Sequence, residues 1–339
     1  MRVPADPAPS VAGATEGRVG ASPVAAVDTH HHYVPPVLRE ALAARAAQDA
    51  AFAAQFAAVV EVFASALDDG DGRLVEMDAA GVETAVIAAP PPGAEVVAAA
   101  QRPAFARRVN EELLALARRH PGRFLVSMCL PLPNAAEAAA ECARLGGEPE
   151  VRAVSLFAHL DGPPLDAPEM DVVYAACAAR RLAVLLHPGM DRVSPLFSDW
   201  QLASALGAPL STTLAAVRLA LSGTLDRHGA LDVVVPHLGG IAPYLLQRLE
   251  DQSSPGGAEH GLGHYFRERF FLDSCSFHPP ALLCADASVG AARLLLGSDY
   301  PFRGPVGRAV GDLAVLADDE RRAVARGNAQ RWFGSDKPS

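Results

Sequence analysis

From residue 24 onward, short apolar runs alternate with longer amphipathic ones. The runs are VAAVD (24–28), TAVIAAP (84–90), FLVSMCLP (124–131), VRAVSLF (151–157), LAVLLHP (182–188), LDVVVPH (231–237), RFFLDS (269–274) and RLLLGSD (293–299). Each ends at a polar residue, a glycine or a proline. Continuous apolarity over so short a length marks a strand covered on both faces, as in a parallel sheet. Helical patterns fill the gaps, at 102–120, 134–146, 168–181, 211–229 and 241–251. Asn134 suits an N-cap, with Glu137 at the capping-box position, and Pro168 suits a first helical position. Alternating strands and helices build parallel βα units. Eight such units at roughly 40 residues each predict an α/β fold, a (β/α)8 TIM barrel with insertions. A doubly wound open sheet is the competitor, but no run is followed by GxGxxG or GxxxxGK[ST]. The expected layout is a loose tail over 1–23 and one barrel domain over 24–339. A small helical insertion or lid is expected near residues 37–72.

Composition narrows the function classes. Half of the 339 residues are hydrophobic and 20% are charged, which excludes wholesale disorder. The formal net charge of −10 disfavours nucleic acid and anionic lipid as partners. No apolar run is expected to approach the ~20 residues that span a bilayer, and the N-terminal stretch has no apolar signal-peptide core. Five cysteines without CxxC spacing read as buried free thiols of a cytoplasmic protein.

In a barrel of this kind, chemistry sits at the C-terminal ends of the strands. Strand 1 runs into Asp28-Thr29-His30-His31-His32. Strand 5 ends in His187-Pro188-Gly189, strand 6 in His237-Leu238-Gly239-Gly240, and strand 8 in Gly297-Ser298-Asp299-Tyr300. Residues i and i+2 of an extended chain share a side, so His30 and His32 can face the mouth together. Two imidazoles from one strand, one from another and a carboxylate from a third can enclose a divalent metal.

These segments resemble the amidohydrolase superfamily. They are most similar to its decarboxylase branch, typified by aminocarboxymuconate semialdehyde decarboxylase and the hydroxybenzoate-type decarboxylases. The matching stretches are VDTHHHYVPP (27–36), EMDAAGVETAV (76–86), LLHPG (185–189), SGTLDRHGALDVVVPHLGG (222–240), GSDYPF (297–302) and GNAQRWFG (327–334). The resemblance implies that His30, His32, His187 and Asp299 ligate the metal, and that His237 is a catalytic group beside it. It also implies a homodimer, in which an arginine at the position of Arg248 serves a neighbouring subunit's substrate. Some superfamily members bridge two metals with a modified lysine on strand 4. The only lysine here is Lys337, so a single ion is expected, zinc first and manganese second.

The leading expectation is metal-dependent, non-oxidative decarboxylation of a small aromatic or enol-type carboxylic acid. His237 and Asp299 would handle protons. The alternative is hydrolysis of an amide, lactone or ester by a metal-activated water; one fold hosts both. Candidate contacts to a small-molecule substrate are Phe157, His159, Arg192, Trp200, His278, Tyr300, Phe302 and Arg303, because they follow strand ends where loops carry specificity.

Overall fold

In the computed structural model, residues 25–53, 70–159, 164–189, 197, 199–254, 256–276 and 278–333 are described. Eight parallel strands succeed one another in chain order: β1 (Ala26–His32), β2 (Val82–Ala88), β3 (Phe124–Cys129), β4 (Val151–Ala158), β5 (Ala183–Pro188), β6 (Val233–Val235), β7 (Phe270–Asp273) and β8 (Leu294–Leu295). The seam between β8 and β1 is bridged by three backbone bonds. Thr29 N donates to Leu296 O, Asp299 N to His30 O and His32 N to Tyr300 O, each at 2.8 Å. The result is a nearly closed TIM barrel.

The apolar runs form strands because both of their faces are covered. Val27, Leu185, Val234, Phe271 and Leu295 meet inside the barrel as a floor. Outside, the helix Arg102–Arg119 buries Phe105, Val109, Leu113 and Leu116, a spacing that places them on one face. Each such side chain contributes roughly 1.5–3 kcal/mol by leaving water. Asn134 caps its helix as the sequence suggests, its Oδ1 accepting from Glu137 N at 3.2 Å.

Three local departures from the sequence pattern have physical causes. β6 stops at Val235 because Pro236 has no N–H to give and His237 and Leu238 turn left-handed, both at φ 55°. The helical pattern over 211–229 divides at Gly223, whose φ of 74° suits glycine, into Ala208–Leu221 and Thr224–Arg227. An apolar stretch of spanning length does occur, contrary to expectation: Ala203–Leu221 covers 19 residues with a mean hydropathy of 1.3. Its Ala215, Ala216, Leu219 and Ala220 are buried in the barrel's outer layer.

The expected insertion begins as the helix Pro36–Gln48, which buries Val37, Leu38 and Leu42. It packs against the helix Arg102–Arg119 and the turn Gly93–Val96 that follows β2. Residues 54–69 of the insertion and the tail over 1–23 lie outside the described residues. All five cysteines are free.

One irregularity in β1 positions the site. Asp28 pairs with Ala85 of β2, yet His31 pairs with Ile87, so three steps on β1 oppose two on β2. The extra residue flips the side-chain parity, as a bulge does. Val27 faces the interior floor, and after the bulge so do His30 and His32. His31 points outward, where its Nδ1 lies 2.9 Å from Asp28 Oδ2.

Candidate metal centre

The ends of β1 and β5 and the loop after β8 bring His30, His32, His187 and Asp299 together. Their ligand atoms all lie within 4.8 Å of one another. His30 Nε2 and His32 Nε2 are 3.1 Å apart, and Asp299 Oδ1 lies 3.5 Å from the first and 3.2 Å from the second. All four are largely buried. Two of the imidazoles have their far nitrogen already engaged. His30 Nδ1 donates to Asp273 Oδ2 at 2.8 Å, and His187 Nδ1 donates to Pro188 O at 2.9 Å. With those protons fixed on Nδ1, each Nε2 presents a lone pair to the centre of the cluster. Three imidazoles and a carboxylate, oriented this way, fit a single divalent ion.

The electrostatics agree. Burial pulls His30 down, but the Asp273 carboxylate, with Asp299 and Asp28, overrides it and raises the imidazole to about 9. Burial and the neighbouring histidines hold His187 well below its usual range. Burial likewise lowers His32 despite Asp299. Burial alone would raise Asp299, yet His237, His30 and His32 around it hold its carboxyl well below the carboxylate norm. The centre is an ionised carboxylate among imidazoles, two of them kept neutral, with one proton held where a cation would bring positive charge.

His237 lies beside this set rather than in it. Its Nε2 is 3.8 Å from Asp299 Oδ2, and its ring centroid is 5.5 Å from that of His30. The left-handed backbone that ends β6 turns His237 back over the mouth. Asp299 also has positive φ, at 52°. Such conformations cost about 1–3 kcal/mol each in non-glycine residues and persist where the surroundings over-determine them. For His237 the surroundings include Asp273, whose Oδ1 accepts from His237 N at 2.9 Å and from Cys275 N at 3.1 Å.

Asp273 is therefore a residue of the site that reading the strand ends overlooked. It closes the apolar run FFLD, the same signal that marks His187 and Asp299. Its carboxyl is buried, which would raise it, but His30 holds it down.

The remaining candidates divide. Phe157 and Phe302 stand nearly perpendicular to rings of the cluster, with centroids 6.2 Å from His187 and 5.2 Å from His32. Phe157 lines a pocket with His30, His32, His187, Ala88, Ser155 and Asp273. His159 stands at the rim, its Nε2 3.3 Å from Glu95 Oε1, and its ring fills the space where a side chain on Gly189 would sit. Arg303 reaches Asp299, with Nε 3.5 Å from Oδ2. Tyr300 instead turns from the pocket and stacks on His31 at 4.9 Å. Trp200 is 85% exposed. His278 is exposed at the start of the helix Pro279–Val289, and Arg248 is exposed on the helix Ala242–Gln252. Arg192 lies outside the described residues.

Comparison with known proteins follows the same line. The amidohydrolase family model matches residues 27–335. The gamma-resorcylate decarboxylase of Rhizobium radiobacter is 28% identical over 290 residues, covering 80% of this chain and 88% of that one. The crystal structure of 5-carboxyvanillate decarboxylase from Sphingomonas paucimobilis superposes with a TM-score of 0.81 at 25% identity, covering 91% of this chain and 99% of its own. A dihydroxybenzoic acid decarboxylase from Polaromonas, solved with bound manganese and the inhibitor 2-nitroresorcinol, gives 0.76 at 23% identity, covering 91% and 96%. With the match running across nearly the whole barrel and through each of the metal-binding strand ends, this chain belongs to the amidohydrolase family.

Proposed function

We propose that the protein is a metal-dependent, non-oxidative decarboxylase of a small hydroxylated aromatic acid. The observation that carries this reading is the arrangement at Asp299: one carboxylate oxygen faces the His30–His32 pair and the other faces His237. A metal-binding group and a proton-handling group thus share one residue. Phe157 on the pocket wall, with Phe302 beside His32, supplies apolar surface for a flat ring. Relatives named as decarboxylases of aromatic acids support the substrate class.

A divalent ion held by His30, His32, His187 and Asp299 would supply Lewis-acid stabilisation of negative charge on substrate oxygens. The chain's own residues do the rest. For CO₂ to leave an aromatic carbon, a proton must reach that carbon. The new C–H bond forms, the C–C bond to the carboxylate breaks, and its electron pair returns to the ring. His237 Nε2 and Asp299 Oδ2 are the pair placed to hold and deliver that proton. Arg303, half-exposed beside Asp299, offers a cation to an anionic substrate as it enters. Manganese and zinc both suit the donor set, and manganese gains support from the Polaromonas relative. A homodimer completes the proposal, with the exposed Arg248 available to a neighbouring subunit.

The test is to incubate manganese-loaded protein with dihydroxybenzoates and trap evolved gas. One CO₂ per phenolic product is expected. Product carrying solvent oxygen, with no CO₂, would establish hydrolysis instead.

A further inference from the structure

The guanidinium of Arg73 lies on the helix Gly70–Ala79, outside the barrel wall, and is fully buried. Its Nη1 donates to the backbone carbonyl of His32 at 2.7 Å. The plane sits between two aromatic rings, 5.5 Å from the centroid of Tyr33 and 5.1 Å from that of Tyr300. Its Nε and Nη2 have no hydrogen-bond partner. Burying this cation is costly, and the field of the buried Asp28 carboxylate offsets only part of that cost.

Those contacts join the two segments that meet at the barrel's seam. His32 and Tyr33 end β1, and Tyr300 follows Asp299 after β8. Between these strands the seam has three backbone bonds, with Thr29 Oγ1 donating to Leu296 O and Asp28 accepting from Ser298 N and Oγ beside them, and Arg73 spans its outer side. The metal ligands come from both sides of it: His30 and His32 from one, Asp299 from the other. His32 Nε2 and Asp299 Oδ1, 3.2 Å apart, face each other across the gap. Arg73 holds the carbonyl of the first ligand's own residue and the ring adjacent in sequence to the second.

We propose that Arg73 is a positioning residue for the metal centre, a clamp across the β8–β1 seam that sets the spacing of His32 and Asp299. The proposal rests on the metal-site reading given above. Planarity matters to it: a guanidinium can bond the carbonyl and lie between two rings at once, whereas an ammonium is a point charge.

The test is Mn²⁺ binding to the full-length, chelator-stripped protein, followed through the resonance signal of free Mn²⁺, with the thermal midpoint of the stripped protein recorded alongside. Arg73→Met should weaken Mn²⁺ binding by about 10–100-fold, the range for residues that orient ligands. Arg73→Lys should fall between it and the parent. Wild-type affinity in Arg73→Met overturns the assignment, whatever its midpoint. If that variant does not fold, wild-type affinity in folded Arg73→Lys overturns it. Failure of the parent protein to bind Mn²⁺ would strike the metal site itself and is distinct from either result.

Discussion

Replacing Asp273 with asparagine tests the electrostatic logic of the centre with a change of one atom. The carboxylate accepts three hydrogen bonds: His30 Nδ1 on Oδ2, and the backbone N–H groups of His237 and Cys275 on Oδ1. An asparagine has one oxygen and an NH₂ group that cannot accept. With the oxygen toward the backbone, the NH₂ faces His30 Nδ1 and forces the imidazole proton onto Nε2, which removes a lone pair from the metal. With the oxygen toward His30, two buried N–H donors lose their acceptor, at about 1–3 kcal/mol for each group left unsatisfied. Either orientation weakens the site. Loss of a partner that orients a ligand typically costs 10–100-fold in metal affinity, or about 1.4–2.7 kcal/mol. The assay is metal content after dialysis against graded chelator, with urea unfolding of stripped protein as a second axis. Asp273→Asn that keeps its metal at parental chelator concentrations, and unfolds at the parental midpoint, would refute the reasoning.

Three further outcomes are expected. His237→Asn should lose roughly 10²–10⁴-fold in turnover while retaining full metal content by elemental analysis, because its imidazole is outside the four-ligand set. The raised His30, near 9, makes metal uptake displace a proton: apparent affinity should climb toward tenfold per pH unit up to about 9 and then level off. In the stripped protein the same group contributes stability that is complete below its unfolded value of about 6.5 and lost as pH rises through 9; a pH-independent affinity from 7 to 9 would contradict both. Gly189→Ala should drive the new methyl into the His159 imidazole, lowering stability by about 1–3 kcal/mol in denaturant unfolding.

Much of the barrel and four of its site residues were legible because strand ends punctuate apolar runs with rare polar types. His30 and His32 stand two apart, and His187 and Asp299 interrupt otherwise aliphatic stretches. Asp273 carried the same mark but has one carboxylate beside Phe271 and Leu272, with no histidine to draw attention to it. Arg73 gave no such cue. An arginine on an amphipathic helix ordinarily points to water, and only the tertiary packing of Tyr33 and Tyr300 reveals that it turns inward. The parity flip in β1 was also hidden, since His30 and His32 share a side with or without a bulge. Tyr300 and Phe302 looked equivalent in the loop after β8, and packing alone separates the ring that backs His31 from the one that stands against the ligand His32.

The floor formed by Val27, Leu185, Val234, Phe271 and Leu295 is apolar, and its Leu185 and Val234 also line the pocket that holds the metal ligands. Arg293 and Arg331 cover Phe271 from below, each guanidinium 5.1 Å from the ring centroid. An apolar base offers a bound molecule no hydrogen bond, so polar orientation has to come from the histidines and Asp299 above it.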